Sequence, residues 1–362
     1  MVQSLNNAAE MNYAEVTAGF DGFVDNIAKV VKKVDSHRKY TYFQYISEYG
    51  AFIQDKKEKS CSIELEEQSI KIGGNMPIFA NSIGNLGIKV NCIGAMGYPE
   101  IHDAFKDMSP SCSLYSVAKP GYCTALEFKD GKIMMATNNG LESMTWEAIK
   151  TLVGLDKIRR FFSSSNIIGL FNWSEIYTAT SIWEGIIQDI LLAHQPDKKQ
   201  VMLFDLSDCS KRDKSDISNA IKLIGKFREH YCVLLSLNEN ETQYVYEALY
   251  ADQHKPELES MGDRIYRTLC ADILIVRHLK YSIAWNGQAK HRSDNLNIES
   301  PKLSTGGGDN FNAGLCFAWL LGLDMPYALI LAGAASSFYI KYGFSANKNE
   351  LMNFLNQWEK TL

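Results

Sequence analysis

The sequence of 362 residues lacks three features that would have pointed to other classes of protein. It has no excess of basic residues, since its formal net charge is −5; a nucleic-acid partner is not expected, because contacting phosphates requires a basic face. Its eight cysteines include no C-x-x-C pair, which favours reduced, mostly buried thiols in a cytoplasmic protein over a metal cluster or disulfide framework. Its longest apolar stretch is interrupted by Asp324 and Pro326 and falls short of the ~20 residues of a membrane span. Residues 1–16 also lack the basic and apolar regions of a signal peptide.

Two common phosphate-binding motifs are also missing, but a third glycine-rich stretch is present. No Gly-Lys-Ser/Thr follows a glycine run, and no G-x-G-x-x-G joins a buried strand to a helix. Instead, "KLSTGGGDNFNAG" (302–314) places three glycines and Asp309 directly before a long apolar segment. Glycines at the start of a helix leave backbone N–H groups accessible at its positive end, where anions bind. The alternative is a flexible loop that only caps the helix.

The carboxylate in this stretch indicates a specific chemistry. A negative side chain beside a bound phosphate is unfavourable unless it has a task, and accepting the proton of an attacking hydroxyl is such a task. Gly306, Gly307 and Gly308 would then cradle the developing charge while Asp309 acts as the general base. A charge cradle together with a base is what phosphoryl transfer requires.

The second half of the chain predicts the fold class. Beyond residue 145, helical stretches alternate with short apolar strands at 166–173, 201–207, 231–238 and 272–278. This alternation predicts an α/β protein with a doubly wound, mainly parallel sheet flanked by helices. We expect a single large domain over residues 14–362, ending in two or three helices after residue 309.

The first half predicts a smaller sheet beside the main one. Residues 15–25 indicate a buried strand that ends at Asp25, and residues 39–55 an amphipathic helix. Residues 61–72 alternate apolar and charged side chains, and Asp130-Gly131 is the turn of a hairpin in 124–136. Strands of this kind do not suit a sheet buried on both faces. We therefore expect a lid whose strands lie within about 25–72 and 112–137.

The glycine stretch resembles the C-terminal signature of the ribokinase-like (PfkB) carbohydrate kinases, D-T-x-G-A-G-D-x-F-x-x-G. The family's leading Asp and Thr correspond to Leu303 and Ser304, and glycine stands in place of the alanine. The matching positions are Gly306, Gly307, Gly308, Asp309, Phe311 and Gly314. The N-terminal signature, G-G-x-x-x-N-x-A-x-x-L-x-x-L-G, is matched by Gly73, Gly74, Ala80, Leu86 and Gly87, with Ile78 in place of asparagine.

Three further segments resemble the family in the same order along the chain. "GFDGFVD" is similar to the strand that ends in a substrate-binding aspartate, Asp25. "LNENE" contains the N-x-x-E motif as Asn238 and Glu241, and "FDLSD" places Asp205 at a strand end. The main departure is at 277–279, where Arg277, His278 and Leu279 stand in place of the family's T-L-G near the nucleotide.

The resemblance implies a ribokinase-like fold and ATP-dependent phosphorylation of a sugar hydroxyl, with Mg²⁺ and a monovalent cation as the candidate ions. Asp25 and Asn75 would bind the substrate, with Gly74 allowing close approach; Asp21 is either a further ligand or a cap. Glu241 and Asn238 would organise Mg²⁺ through water, with Asp205 as a second metal residue; a helix start at Asn238 is the alternative. Arg277 would replace a lost phosphate contact, unless it is a surface arginine.

Two other functions stay open at this stage. A nucleoside kinase of the same family shares the catalytic parts, and the lid distinguishes its substrate from a sugar. A sugar-binding regulator that has lost catalysis is favoured by the altered 277–279 segment and disfavoured by the intact Gly306–Asp309 stretch. In each case the partner is a small molecule, with a possible homodimer through the lid. The sequence does not specify the sugar or the hydroxyl that is phosphorylated.

Overall fold

The computed structural model describes residues 14–192, 200–251, 255–287, 289–299, 301–303 and 305–359. Residues 1–13, Ser304 and the last three residues of the expected domain therefore lie outside the described part. The strands are Glu15–Phe20 (β1), Phe23–Val34 (β2), Tyr40–Tyr42 (β3), Leu65–Gly73 (β4), Lys89–Gly94 (β5), Cys112–Ser116 (β6), Gly121–Phe128 (β7), Gly131–Thr137 (β8), Ile167–Phe171 (β9), Val201–Asp205 (β10), Cys232–Asn238 (β11), Ile273–Arg277 (β12), Tyr281–Asn286 (β13) and Ala289–Asp294 (β14).

Twelve α-helices complete the described secondary structure, apart from short 3₁₀ and π turns. They are Ile46–Asp55 (α1), Asn75–Asn85 (α2), Asp103–Lys106 (α3), Trp146–Val153 (α4), Leu155–Ser164 (α5), Ala179–Ile186 (α6), Lys214–Phe227 (α7), Glu239–Leu249 (α8), Leu258–Thr268 (α9), Gly307–Leu320 (α10), Met325–Tyr342 (α11) and Lys348–Glu359 (α12). Within the described ranges, no helix is long and apolar enough to cross a membrane.

The main sheet has the strand order β14-β13-β12-β11-β10-β9-β1-β5-β6. The strands from β12 to β6 run parallel, and β13 and β14 extend one edge in antiparallel pairing. Successive strand residues point to opposite faces: Ile167 and Leu203 belong to one apolar cluster, Ile168 and Phe204 to the other. Helices α4–α9 cover the second cluster, and α2, α3 and α10–α12 cover the first. The expected doubly wound sheet is confirmed.

A separate sheet is formed by β2, β3, β4, β7 and β8, and we call it the lid; its closure over a substrate stays a prediction. Its strand β2 pairs antiparallel with β4 and parallel with β7, which pairs with β8 in the expected hairpin at Asp130-Gly131. The short strand β3 pairs with the far end of β2. Helix α1 packs on this sheet through Tyr49 and Phe52, which lie against a small cluster of lid residues. The lid thus has its own apolar core.

The structure differs from the predicted elements at three places. Cys112–Ser116 forms β6 of the main sheet and not part of the lid; its side chains are partly exposed because it is an edge strand, which made it look like a lid strand. Residues 40–42 form β3, so the predicted helix begins only at Ile46; tyrosine and threonine favour extended pairing with β2. The first strand ends at Phe20, and Asp25 lies inside β2.

Candidate active site

The candidate residues converge at one edge of the main sheet, where the parallel strands end. Asp21 follows β1, Asn172 follows β9, Asp205 ends β10, and Arg277 ends β12. Carboxyl ends of parallel strands meet at the same edge, and ligands of open α/β sheets bind in the crevice outside them. The topology therefore brings together side chains that lie more than 250 positions apart along the chain.

The N-terminus of helix α10 opens onto this edge. Gly306 is the N-cap residue in a left-handed conformation with φ of 91°, which glycine adopts without strain. The first intrahelical hydrogen bond is donated by Asn310 N–H to Gly306 C=O at 3.1 Å. A helix leaves the N–H groups that precede this bond without acceptors in its own backbone. At this end of α10 these are the groups of Gly306, Gly307, Gly308 and Asp309, and a turn of this kind is able to bind an anion.

Asp309 lies in the first turn of α10 and is 5% exposed. Asn75 Nδ2 donates a hydrogen bond to its Oδ1 at 2.9 Å. Burial raises the pKa of the Asp309 carboxyl well above its ordinary value, and the charge of Asp205 raises it further, whereas Asn75 and Arg277 lower it. A raised pKa makes this carboxylate a stronger base than an exposed aspartate.

Asp21 holds the start of helix α2 in place. Its carboxylate accepts hydrogen bonds from the N–H groups of Asn75 at 2.8 Å and Met76 at 2.7 Å, and from Asn172 Nδ2 at 2.7 Å. A Cβ on Gly74 would lie 2.6 Å from Asp21 Oδ2, so glycine is required for this approach. Burial raises the Asp21 pKa to about 6, although these hydrogen bonds lower it. The capping alternative for Asp21 is thus the arrangement that the structure contains.

Asp25 has a different environment on the lid strand β2. It lies in a cross-strand row with Lys71 of β4 and Cys123 of β7, and it is 9% exposed. A Cβ on Gly73 would lie 2.2 Å from its Oδ1. Burial raises its pKa to about 6, whereas the charge of Lys132 on β8 lowers it. Asp25 is therefore a carboxylate close to Asp21 whose oxygens are not committed to capping a helix.

Arg277 is largely buried and is not a surface arginine. Its side chain is 11% exposed, and Nη2 donates to Asp205 Oδ2 at 3.0 Å and lies 3.7 Å from Glu241 Oε2. Asp205 also accepts hydrogen bonds from Asn312 Nδ2 at 2.8 Å and Ser207 N–H at 3.0 Å. The guanidinium group thus connects the ends of β12 and β10 with helix α8.

Asn238 and Glu241 form a capping box at the start of helix α8. Glu241 Oε2 accepts from Asn238 N–H at 2.8 Å, and Asn238 Oδ1 accepts from Glu241 N–H at 2.9 Å. Burial raises the Glu241 pKa to about 8, the nearby Asp205 raises it too, and Arg277 lowers it. The helix-start alternative for Asn238 is therefore present, beside any role in metal binding.

Direct coordination of Mg²⁺ by Asp205 and Glu241 does not fit this arrangement. Both carboxylates already accept hydrogen bonds, and the guanidinium of Arg277 contacts them both. Among the described residues there is also no group of three His, Cys, Asp or Glu side chains that could hold a metal ion. Since Mg²⁺ keeps several waters and binds substrate phosphates, a contact through water stays a prediction.

Three site residues were missed by the sequence analysis. Asn172 and Asn312 hold Asp21 and Asp205 through their amide groups, and the ring of Tyr339 on α11 lies against Gly306, whose Cβ would be 2.9 Å from the Tyr339 hydroxyl. Asn172 lies at the end of the predicted strand 166–173 and Asn312 lies inside the glycine motif, so their positions in the sequence weakly indicated a role in the site. Tyr339 lies within an apolar helix, and nothing around it in the sequence indicated such a role.

The chain matches the model of the prokaryotic ketohexokinase family over residues 4–358. It is similar to a ketohexokinase of Haloferax volcanii, with 25% identity over 344 residues, which is 94% of this chain and 90% of that protein.

Solved structures share the fold at low sequence identity. Adenosine kinase from Sinorhizobium meliloti superposes with a TM-score of 0.65 and 16% identity, covering 96% of this chain and 99% of that one. Ribokinase from Arabidopsis thaliana, complexed with ribose and ATP, superposes with a TM-score of 0.64 and 12% identity, covering 94% and 98%. The expected ribokinase-like fold is confirmed, but likeness at this level does not distinguish a sugar kinase from a nucleoside kinase.

Proposed function

The chain belongs to the prokaryotic ketohexokinase family and is a carbohydrate kinase, and from this premise we propose that it transfers the terminal phosphoryl group of ATP to a hydroxyl of a ketohexose. The observation that carries the proposal is the position of Asp309, which is buried in the first turn of helix α10 and hydrogen-bonded to Asn75. The choice of a ketohexose as the acceptor is supported by the family and by the Haloferax relative. The choice of ATP is supported by the ribokinase that shares this fold.

The residues have distinct roles in this reaction. Asp309 accepts the proton of the attacking hydroxyl, whose oxygen bonds to the terminal phosphorus of ATP while the bond to the bridging oxygen breaks and ADP leaves. The N–H groups at the start of α10, in the Gly306–Gly308 turn, stabilise the charge on the transferred phosphoryl oxygens. Arg277 contributes positive charge on the donor side. ATP supplies the phosphoryl group, and any Mg²⁺ enters with its phosphates.

The acceptor sugar would be held between the lid and the edge of the main sheet. Asp25 on β2 and Asn75 at the start of α2 would contact its hydroxyl groups, and Gly74 leaves the backbone accessible beside them. Asp21 acts indirectly, because its oxygens fix the N–H groups of Asn75 and Met76. In this arrangement Asn75 contacts both substrate and base, which aligns the hydroxyl with Asp309.

A coupled assay of ADP release over ketohexoses, aldohexoses, pentoses and nucleosides tests the proposal. We expect the highest kcat/KM with a ketohexose, and a loss of about 10²–10⁴-fold in Asp309→Asn, because this change removes the base and keeps the shape. The control is Asp294→Asn on β14, whose side chain is 82% exposed. A nucleoside preference would support the nucleoside kinase instead. Tight sugar binding without turnover would support the regulator.

Dimerisation through the lid stays a prediction that one surface supports. Ile70 and Met135 are 54% and 58% exposed and lie in one cross-strand row with Asn26 and Thr124. A second copy of the chain would cover the exposed apolar side chains of Ile70 and Met135. Sedimentation of the wild type and of Met135→Glu tests it: we expect a dimer for the wild type and a monomer for the variant.

A further inference from the structure

We propose that Arg277 is the resident cation of the phosphoryl-transfer site and that its guanidinium group binds the transferred phosphoryl group. This guanidinium group occupies the place where a divalent ion ligated by Asp205 and Glu241 would otherwise lie. The inference rests on the proposed function and adds a residue-level assignment of the charge that phosphoryl transfer requires. Asp205 and Glu241 were expected to organise a metal ion, but the structure places the guanidinium group of Arg277 beside both of them.

Arg277 lies next to a group of buried acidic side chains. Asp205, Glu241 and Asp309 are three buried carboxylates, each less than 6% exposed, at one edge of the sheet. In their ionised forms these groups repel one another and would oppose the arrival of a phosphate, because like charges at short range are strongly unfavourable in a buried site. Arg277 offsets this repulsion by its contacts of 3.0 Å with Asp205 and 3.7 Å with Glu241. An arginine keeps its charge at any working pH and needs no free metal.

Part of the guanidinium group of Arg277 faces the start of helix α10. Nη2 is engaged by Asp205, but Nη1 lies against the backbone at Gly308, where an added Cβ would be 2.3 Å from it. The buried Nε has no hydrogen-bond partner among the described residues. Two corners of the guanidinium fork are therefore not fixed by its carboxylate contacts, and one of them adjoins the N–H groups of the anion-binding turn.

These two features together specify the ligand. A charged Nη1 donor beside several backbone N–H groups matches the oxygens of a phosphoryl group, which accept charge-assisted hydrogen bonds from arginine. Asp205 and Asn312 fix the fork from behind, because Asn312 Nδ2 donates to the same oxygen that Arg277 contacts. The site is thus charged and oriented before the nucleotide binds, which reduces the cost of reorganisation during transfer.

The experiment measures binding of inorganic phosphate and of Mn²⁺, each without nucleotide, by titration calorimetry. We expect Arg277→Gln to weaken phosphate binding about tenfold or more, as loss of a charge-assisted hydrogen bond does, and Arg277→Lys to lie between it and the wild type. We expect Mn²⁺ to bind Arg277→Gln, whose acidic pair is no longer neutralised, but not the wild type. The control is Arg228→Gln, which breaks an exposed ion pair with Asp272 on another part of the surface.

The possible outcomes separate the two proposals. Equal phosphate binding by wild type and Arg277→Gln, or equal Mn²⁺ binding by both, would overturn the role of Arg277 as a resident cation. Should Arg277→Gln fail to fold, Arg277→Lys decides by the same phosphate titration, where unchanged affinity would contradict a phosphate contact by Nη1 of the guanidinium group. If phosphate binding depends on Arg277 but no ketohexose is phosphorylated, the proposed function fails and this inference stands.

Discussion

Asn75 donates a hydrogen bond from Nδ2 to Asp309 Oδ1 at 2.9 Å, joining two residues that are 234 positions apart. The same residue donates its backbone N–H to Asp21, so the start of helix α2 is fixed to β1 while its first side chain reaches α10. Because the proposed substrate contact and the proposed base are linked in this way, a change at one is expected to alter the other.

The first prediction concerns the pH dependence of Asn75→Ala. The hydrogen bond from Asn75 favours the charged form of Asp309 and lowers its pKa, so its loss should raise that pKa further. Since a base must be deprotonated, activity falls as pH decreases through the Asp309 pKa. The acidic limb of kcat/KM should therefore move to higher pH in the variant, and pH–rate profiles measure this. A limb that does not move would show that this hydrogen bond does not tune the base.

The second prediction concerns the stability of Asp25→Asn. The folded-state pKa of Asp25 is raised from 3.8 to about 6, so the native state binds more protons than the unfolded chain between these values. Its contribution to stability is therefore lost as pH rises through this window, by about 3 kcal/mol for about two pKa units. Asp25→Asn should raise the Tm at pH 8 but not at pH 4, while the KM for sugar increases.

The matched variant is Asp21→Asn. Burial raises the pKa of Asp21 to about 6 as well, but this variant should gain less stability at pH 8 than Asp25→Asn. Asp21 accepts three hydrogen bonds from N–H donors, and an asparagine amide would direct its own donors at one of them. A buried donor left unpaired costs about 1–3 kcal/mol, so the Tm of Asp21→Asn at pH 8 should lie below that of Asp25→Asn. If Asp21→Asn were at least as stable as Asp25→Asn at pH 8, the distinction between a capping and a substrate-facing aspartate would be wrong.

The third prediction compares two neighbouring glycines at the start of helix α10, in the proposed anion-binding turn. A Cβ on Gly308 would lie 2.3 Å from Arg277 Nη1, whereas a Cβ on Gly307 would lie 3.1 Å from the flexible end of Ile340. Gly308→Ala must therefore displace the guanidinium group, and we expect kcat/KM to fall about 10- to 100-fold, as for a lost charge-assisted hydrogen bond. Gly307→Ala should stay within about threefold of the wild type. Steady-state kinetics with both purified variants decides the comparison.

The fourth prediction concerns closure of the lid. If Asp25 contacts the sugar, then β2, β4, β7 and β8 should exchange amide hydrogens more slowly when the sugar is bound, because the lid closes over the substrate. Strand β6 provides an internal control, since it was expected in the lid but pairs with β5 in the main sheet. Hydrogen-exchange mass spectrometry with and without ketohexose measures this. If β6 and β7 gained the same protection from hydrogen exchange on binding ketohexose, this would argue against a separate lid.

Much of the fold was predictable from local patterns. The apolar strands from residue 166 onward and the turn at Asp130-Gly131 are local signals, and the structure forms them as expected. Cys112–Ser116 was misplaced because partial exposure does not distinguish an edge strand of a large sheet from a strand of a small one.

The eight cysteines are all free, but only four of them are buried, with Cys61 and Cys270 exposed.

By itself, the sequence determined that helix α10 begins with glycines and a carboxylate, because a helix start depends on backbone conformation and the residues next to it. It did not determine which partners meet that carboxylate. The positions of Arg277, Asn172 and Tyr339 depend on how parallel strands and helices from distant parts of the chain end at one edge. Whether Arg277 faces water or two buried carboxylates is a property of that packing, so only the tertiary structure decided it.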